Sequence, residues 1–182
     1  MSGRSGGRGT TGGWELGVTE TDFELPNAGT GPDPLRLSEF ATDHDAVVLF
    51  FQRDYRSGDC KEQAQTLADR YGEFRDRDTV VVSVLPESEK RANKWQKKLH
   101  LPFPLVADED KAVAEQYGQP TRWGKLGSLH DLLGRLPEVA ILDARDGLQL
   151  WSIHRGEKPD DRPTVDEVLQ RLDTLLGDDR GL

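Results

Sequence analysis

Val47-Val48-Leu49-Phe50-Phe51-Gln52-Arg53-Asp54-Tyr55-Arg56-Ser57-Gly58-Asp59-Cys60-Lys61-Glu62-Gln63 decides how the rest of the chain is read. Five apolar residues in succession, Val47 to Phe51, have the length and composition of a strand covered on both faces, as in the middle of an α/β sheet. A polar loop follows and ends in Ser57-Gly58-Asp59, residue types that cap helix N-termini. Beyond it Ala64, Leu67, Ala68 and Tyr71 recur at spacings of three and four, which predicts a helix ending near Tyr71-Gly72. Cys60, the one cysteine of the chain, therefore falls in the first turn of a helix that leaves the tip of a central strand. Free N–H groups and the macrodipole at that position favour a thiolate over a thiol.

C-terminal to this unit, Thr79 to Leu85 is β-branched and continuous, a second central strand. Glu87 to Leu99 places Ala92, Trp95 and Leu99 on one face among charges, an amphipathic helix. Phe103 to Asp110 opens with a proline that suits an edge strand, and Lys111 to Tyr117 predicts a short helix closed by Gly118. Gln119 to Gly134 carries little pattern beyond a short helix at Leu126 to Leu133. Glu138 to Asp143 and Leu148 to His154 flank the turn Ala144 to Gly147 as a hairpin. A final helix is announced by Pro163 and the capping box Thr164-x-x-Glu167, with Val165, Val168, Leu169, Leu172, Leu175 and Leu176 on one face. N-terminally, Asp22 to Pro26 and Leu35 to Phe40 read as an edge ribbon running into a first short helix. Residues 1–13 hold six glycines and no apolar residue after Met1, which predicts a disordered leader; residues 14–177 then form one domain and 178–182 a tail.

Lys and Arg total 24 against 33 Asp and Glu, for a net charge of −9. Such a surface repels nucleic acid and anionic membrane, so neither is expected as a partner. No apolar run approaches the roughly 20 residues of a membrane span, and the N-terminus lacks the hydrophobic core of a signal peptide, so a cytoplasmic location is expected. A single cysteine excludes an internal disulfide and a cysteine zinc site; redox chemistry would need a thiol from another molecule. The four histidines show no ligand spacing and no Gly-rich phosphate loop is present, so no metal or cofactor is expected.

The Cys60 segment resembles the active-site region of the peroxiredoxin family (alkyl hydroperoxide reductase and thiol-specific antioxidant proteins), which reads Pro-x-x-x-Thr-x-x-Cys after a Phe-rich strand. Here those positions are Arg53, Ser57 and Cys60. It resembles equally a branch with Asp-Tyr-x-Cys-x-x-Cys, Ser57 standing where the first cysteine would be. Two further runs share the family pattern: Asp22-Phe23-Glu24-Leu25-Pro26 with Leu37-Ser38-Glu39-Phe40, and Phe103-Pro104-Leu105 through Asp108 to Tyr117-Gly118. The resemblance covers about Asp22 to Leu176. It implies a thioredoxin-like three-layer α/β/α sandwich with a central mixed β-sheet, in which Leu136-Pro137 lies where thioredoxin-fold proteins place a cis proline.

The resemblance also implies a thiol-dependent peroxidase. Cys60 would be the nucleophile, Ser57 its hydroxyl partner and Arg53 or Arg155 the electrostatic support. The substrate would be a peroxide and the reductant an external thiol, from a thioredoxin-like protein or a small molecule; homodimers are common among relatives. The chemistry sets a demand. A thiol near pKa 8.5 is only about 3% ionised at pH 7, and lowering it to about 6 takes roughly 3.4 kcal/mol. A helix N-terminus supplies about 0.3 to 1 kcal/mol, at best about 2, so a cation must supply the rest. Asp59 opposes the thiolate; Arg53, Arg56, Arg135 and Arg155 are the cations considered. Two other readings stand beside this one. A non-catalytic thioredoxin-fold binding module would bury the Cys60 sulfur as packing. A monothiol oxidoreductase or redox sensor would accumulate mixed disulfides.

Overall fold

A computed structural model describes residues 14–15, 18, 20–54, 58–119, 135–158 and 160–177. The expected leader, the tail, the helix at Leu126 to Leu133 and the hydroxyl of Ser57 lie outside these residues. The strands are β1 (Trp14–Glu15), β2 (Glu24–Leu25), β3 (Leu35–Arg36), β4 (Ala46–Phe51), β5 (Thr79–Leu85), β6 (Leu105–Ala107), β7 (Glu138–Asp143) and β8 (Gln149–Arg155). The helices are α1 (Leu37–Phe40), α2 (Gly58–Asp69), α3 (Tyr71–Arg75), α4 (Glu89–Leu99), α5 (Ala112–Gln116) and α6 (Val165–Gly177), with a 3₁₀ turn at Ala41–Asp43.

The six-stranded sheet has the order β1-β8-β7-β4-β5-β6, and β2 pairs separately with β3. β4 runs parallel to β5, β5 parallel to β6, and the β7–β8 hairpin is antiparallel to β4, which makes the sheet mixed. Every residue of β4 and β5 is buried, as expected of strands covered on both faces. Their alternate side chains divide two apolar layers. Val48, Phe50, Val81 and Leu85 pack with Cys60, Ala64 and Leu67 of α2, Trp95 of α4 and the apolar stripe of α6. Val47, Leu49, Val80 and Val82 pack on the other side with Leu37, Val113, Tyr117 and Ile153. The fold is a three-layer α/β/α sandwich.

Local signals are realised atom by atom. Thr164 Oγ1 accepts from the Glu167 N–H at 3.1 Å while Glu167 Oε2 accepts from the Thr164 N–H at 3.2 Å, the reciprocal capping box of α6. Ser88 caps α4 and accepts from the Arg91 N–H, so that helix starts two residues later than the periodicity predicts. The Cys60 helix ends at Asp69; Tyr71 and Gly72 begin α3, which buries Phe74. The Leu136-Pro137 bond is not cis; among the described residues the cis proline is at Asp33-Pro34.

Candidate functional site

β4 ends at Phe51 and hands the chain to Gln52, which is buried and held from three directions. Its N–H donates to the Val84 carbonyl (2.9 Å), its side-chain amide donates to Ser83 Oγ (2.9 Å), and its carbonyl accepts from Gln119 Nε2 (3.1 Å). Gln119 Nε2 also donates to the Leu136 carbonyl at 2.9 Å, so one amide joins the exits of β4 and the entry to β7. Fixed in this way, the next peptide aims its N–H inward: Arg53 N lies 3.2 Å from Cys60 Sγ and donates to it. The guanidinium of Arg53 turns elsewhere, its Nε donating to the Arg135 carbonyl at 3.0 Å. Arg53 therefore serves the sulfur through its backbone.

Among the described residues, a side-chain cation beside the sulfur is Arg162. Its Nη1 and Nη2 lie 3.6 and 3.7 Å from Cys60 Sγ, and Nη1 also donates to Gln63 Oε1 at 3.3 Å. Gln63 sits one α-helical turn past Cys60 on α2, so the helix that carries the nucleophile also orients its cation. Arg162 belongs to the segment between β8 and α6. That segment is tied down by Gly156 N donating to the Pro137 carbonyl (2.8 Å) and by Asp161, whose Oδ2 accepts from Glu157 N (2.9 Å) and whose Oδ1 lies 3.3 Å from His154 Nε2. A Cβ on Gly156 would sit 2.7 Å from the Asp161 carbonyl oxygen and 2.9 Å from Pro137 Cγ, so only glycine lets the segment pack this closely.

Arg155 stands apart from this group. It lies two residues from Ile153, which packs in the layer opposite Cys60, and side chains two apart on a strand share a face. Its Nε pairs with Glu138 Oε1 at 3.0 Å and its Nη2 donates to the Tyr117 carbonyl at 3.1 Å. Glu138 is its cross-strand partner in the register of β7 and β8. Burial pushes the Glu138 carboxyl up to about 8, against the pull of Arg155 and Arg135. This is a buried carboxyl–guanidinium contact within the second layer.

Cys60 has no exposed surface. Its sulfur is nevertheless met by a backbone N–H and a guanidinium, donors that lower the energy of a thiolate and that a packing cysteine does not need. Arg162 gives no functional signal in the sequence, since Asp160-Asp161-Arg162-Pro163 has the composition of an acidic lead-in to a helix. A topological signal was present: β8 runs parallel to β4, so the chain leaving β8 emerges at the end of the sheet where α2 begins. Among the described residues no cluster of His, Cys, Asp and Glu has the arrangement of a metal site.

Comparison with known proteins places these features. The model of the AhpC/TSA family matches residues 16–149. The chain is 31% identical over 144 residues to a chloroplastic peroxiredoxin Q from Sedum lineare, spanning 78% of this chain and 70% of that protein. It is 29% identical over 103 residues to peroxiredoxin Bcp of Bacillus subtilis (strain 168), spanning 57% of this chain and 63% of that one. Among solved structures it superposes on the peroxidoxin BcpB of Mycobacterium tuberculosis with a TM-score of 0.67 and 25% identity, covering 85% of this chain and 94% of the other.

Proposed function

The chain belongs to the AhpC/TSA family and is a thiol peroxidase of the peroxiredoxin kind; on that premise we propose that Cys60 is its peroxide-attacking nucleophile and Arg162 its electrostatic support. The observation that carries the assignment is the convergence of the Arg53 N–H and the Arg162 guanidinium on one sulfur at the N-terminus of α2. Together with the helix terminus, they supply the three kinds of positive potential that an anionic sulfur requires.

The Cys60 thiolate attacks the distal oxygen of the peroxide. The S–O bond forms as the O–O bond breaks, and the leaving oxygen takes a proton and departs as water or an alcohol. The same donors stabilise negative charge as it moves from sulfur to the leaving oxygen, so Arg162 is proposed to follow the charge across the transition state. Cys60 is left as a sulfenic acid. With one cysteine in the chain, an external thiol returns it to the reduced state. Ser57, three residues before the sulfur in the sequence, is proposed as the hydroxyl partner of the peroxide; Arg53 contributes through its N–H, and Arg155 is assigned a structural role.

No helix of the described residues is long and apolar enough to cross a membrane. A reducing compartment such as the cytoplasm suits a peroxidase that needs its thiol regenerated. The domain is proposed to run from about residue 14 to residue 177, since the sheet begins at Trp14 and α6 ends at Gly177. The test is hydrogen peroxide consumption with a dithiol reductant by wild type and Cys60→Ser. Turnover in wild type that is absent from the variant supports the assignment; equal turnover refutes it.

A further inference from the structure

A cleft of about 440 Å³ lies between the first turns of α2 and the segment that carries Arg162. Phe50, a neighbour of Cys60 in the apolar layer, and Arg162, which donates to Cys60 Sγ, are both in its lining. Arg162 therefore borders both the cleft and the sulfur. Its volume is that of a small-molecule site, far below what a protein partner would occupy.

The charges around this cleft are unevenly balanced. Arg70 on the rim is engaged by Asp166 at 2.7 Å and by Glu73 at 2.6 Å, and Arg162 is turned to the sulfur and to Gln63. Asp59, Glu62 and Asp160 are exposed in the lining and form no ion pair among the described residues. A solute in the cleft therefore meets a net negative field, and a carboxylate brought within several ångströms of it is repelled.

Building on the peroxidase reading, we propose that this cleft admits the low-molecular-weight thiol that reduces the Cys60 sulfenic acid, and that it selects cationic or neutral thiols over carboxylate-bearing ones. The thiolate attacks the sulfenic sulfur; an S–S bond forms, the S–O bond breaks, and hydroxide leaves with the thiol's proton as water. A second molecule of the thiol attacks the mixed disulfide at its own sulfur. That step frees the Cys60 thiolate and releases the symmetrical disulfide.

The test uses the full chain, oxidised with one equivalent of hydrogen peroxide and then reduced at low ionic strength with cysteamine, 2-mercaptoethanol or mercaptoacetate. Rates are compared at equal thiolate concentration and normalised to reaction with a neutral model disulfide. Cysteamine is expected to exceed mercaptoacetate by about tenfold, a ratio that 0.5 M salt collapses. In Glu62→Gln/Asp160→Asn the ratio is expected to fall to within about threefold. Equal rates for the three thiols in wild type, or an unchanged ratio in the double variant, would overturn the proposal. Failure to consume the equivalent of peroxide would overturn the peroxidase reading itself and this proposal with it.

Discussion

Arg155 and Arg162 stand seven residues apart, at the end of the same strand and just beyond it, yet the two faces of the sheet give them opposite work. Arg155 points into the layer opposite Cys60 and meets the fully buried side chain of Glu138 at 3.0 Å. Arg162, freed from strand alternation by the intervening segment, crosses to the α2 side and reaches a sulfur and an amide. A guanidinium held against a carboxyl in the opposite layer cannot act on the sulfur, whereas one within 3.7 Å of Cys60 Sγ lays its positive field on it. An arginine's value to a nucleophile therefore depends on which face of the sheet it reaches.

The contrast is open to attack by substitution. The largest effect is expected for Cys60→Ser, which should lower peroxide turnover by on the order of a thousandfold or more, since no other thiol exists in the chain. Arg162→Met is next: removing a donor that follows charge in the transition state should slow peroxide reduction by about 10- to 100-fold, measured as kcat/KM for hydrogen peroxide. Arg155→Met should change that rate by no more than about threefold but lower stability by about 1 to 3 kcal/mol, because the buried Glu138 carboxyl and the Tyr117 carbonyl lose their donor. The comparison is read from urea midpoints beside rates. Gly156→Ala, whose Cβ would lie 2.7 Å from the Asp161 carbonyl, should shift the Arg162 segment and slow turnover by about threefold to tenfold.

The smallest effect is a pH dependence of stability. Glu138 has an ordinary carboxyl value of 4.5 that burial pushes up to about 8, so the native state holds a proton that the unfolded chain has released. The stability linked to this group is fully present below about pH 4.5 and is lost as pH rises toward about 8. Urea midpoints of wild type should therefore fall relative to those of Glu138→Gln between pH 5 and pH 8, by on the order of 2 kcal/mol in unfolding free energy. Parallel curves would mean that Arg155 keeps the carboxylate ionised throughout.

Much of the fold is legible in the residues themselves. Val47 to Phe51 and Thr79 to Leu85 are continuous apolar runs because both faces are covered, and the α6 helix carries its cap, its stripe and its proline in plain order. Cys60 at the head of α2 follows from the same strand–loop–helix reading. The cation was not legible, because strand parity and chain crossover decide it. Arg155 looks available until Ile153 is seen to face the opposite layer, and Arg162 looks like a helix lead-in until β8 is seen to run alongside β4's direction. Arg53 shows a further limit: a sequence names side chains, and here the peptide N–H is what reaches the sulfur.

The most direct test is the rate of Cys60 alkylation by iodoacetamide at pH 7 in wild type, Arg162→Met and Arg155→Met, each confirmed folded by tryptophan fluorescence. If Arg162 supports the thiolate, its replacement lowers that rate by about tenfold, while Arg155→Met follows wild type. Equal rates for wild type and Arg162→Met, or a loss seen in Arg155→Met alone, would contradict it.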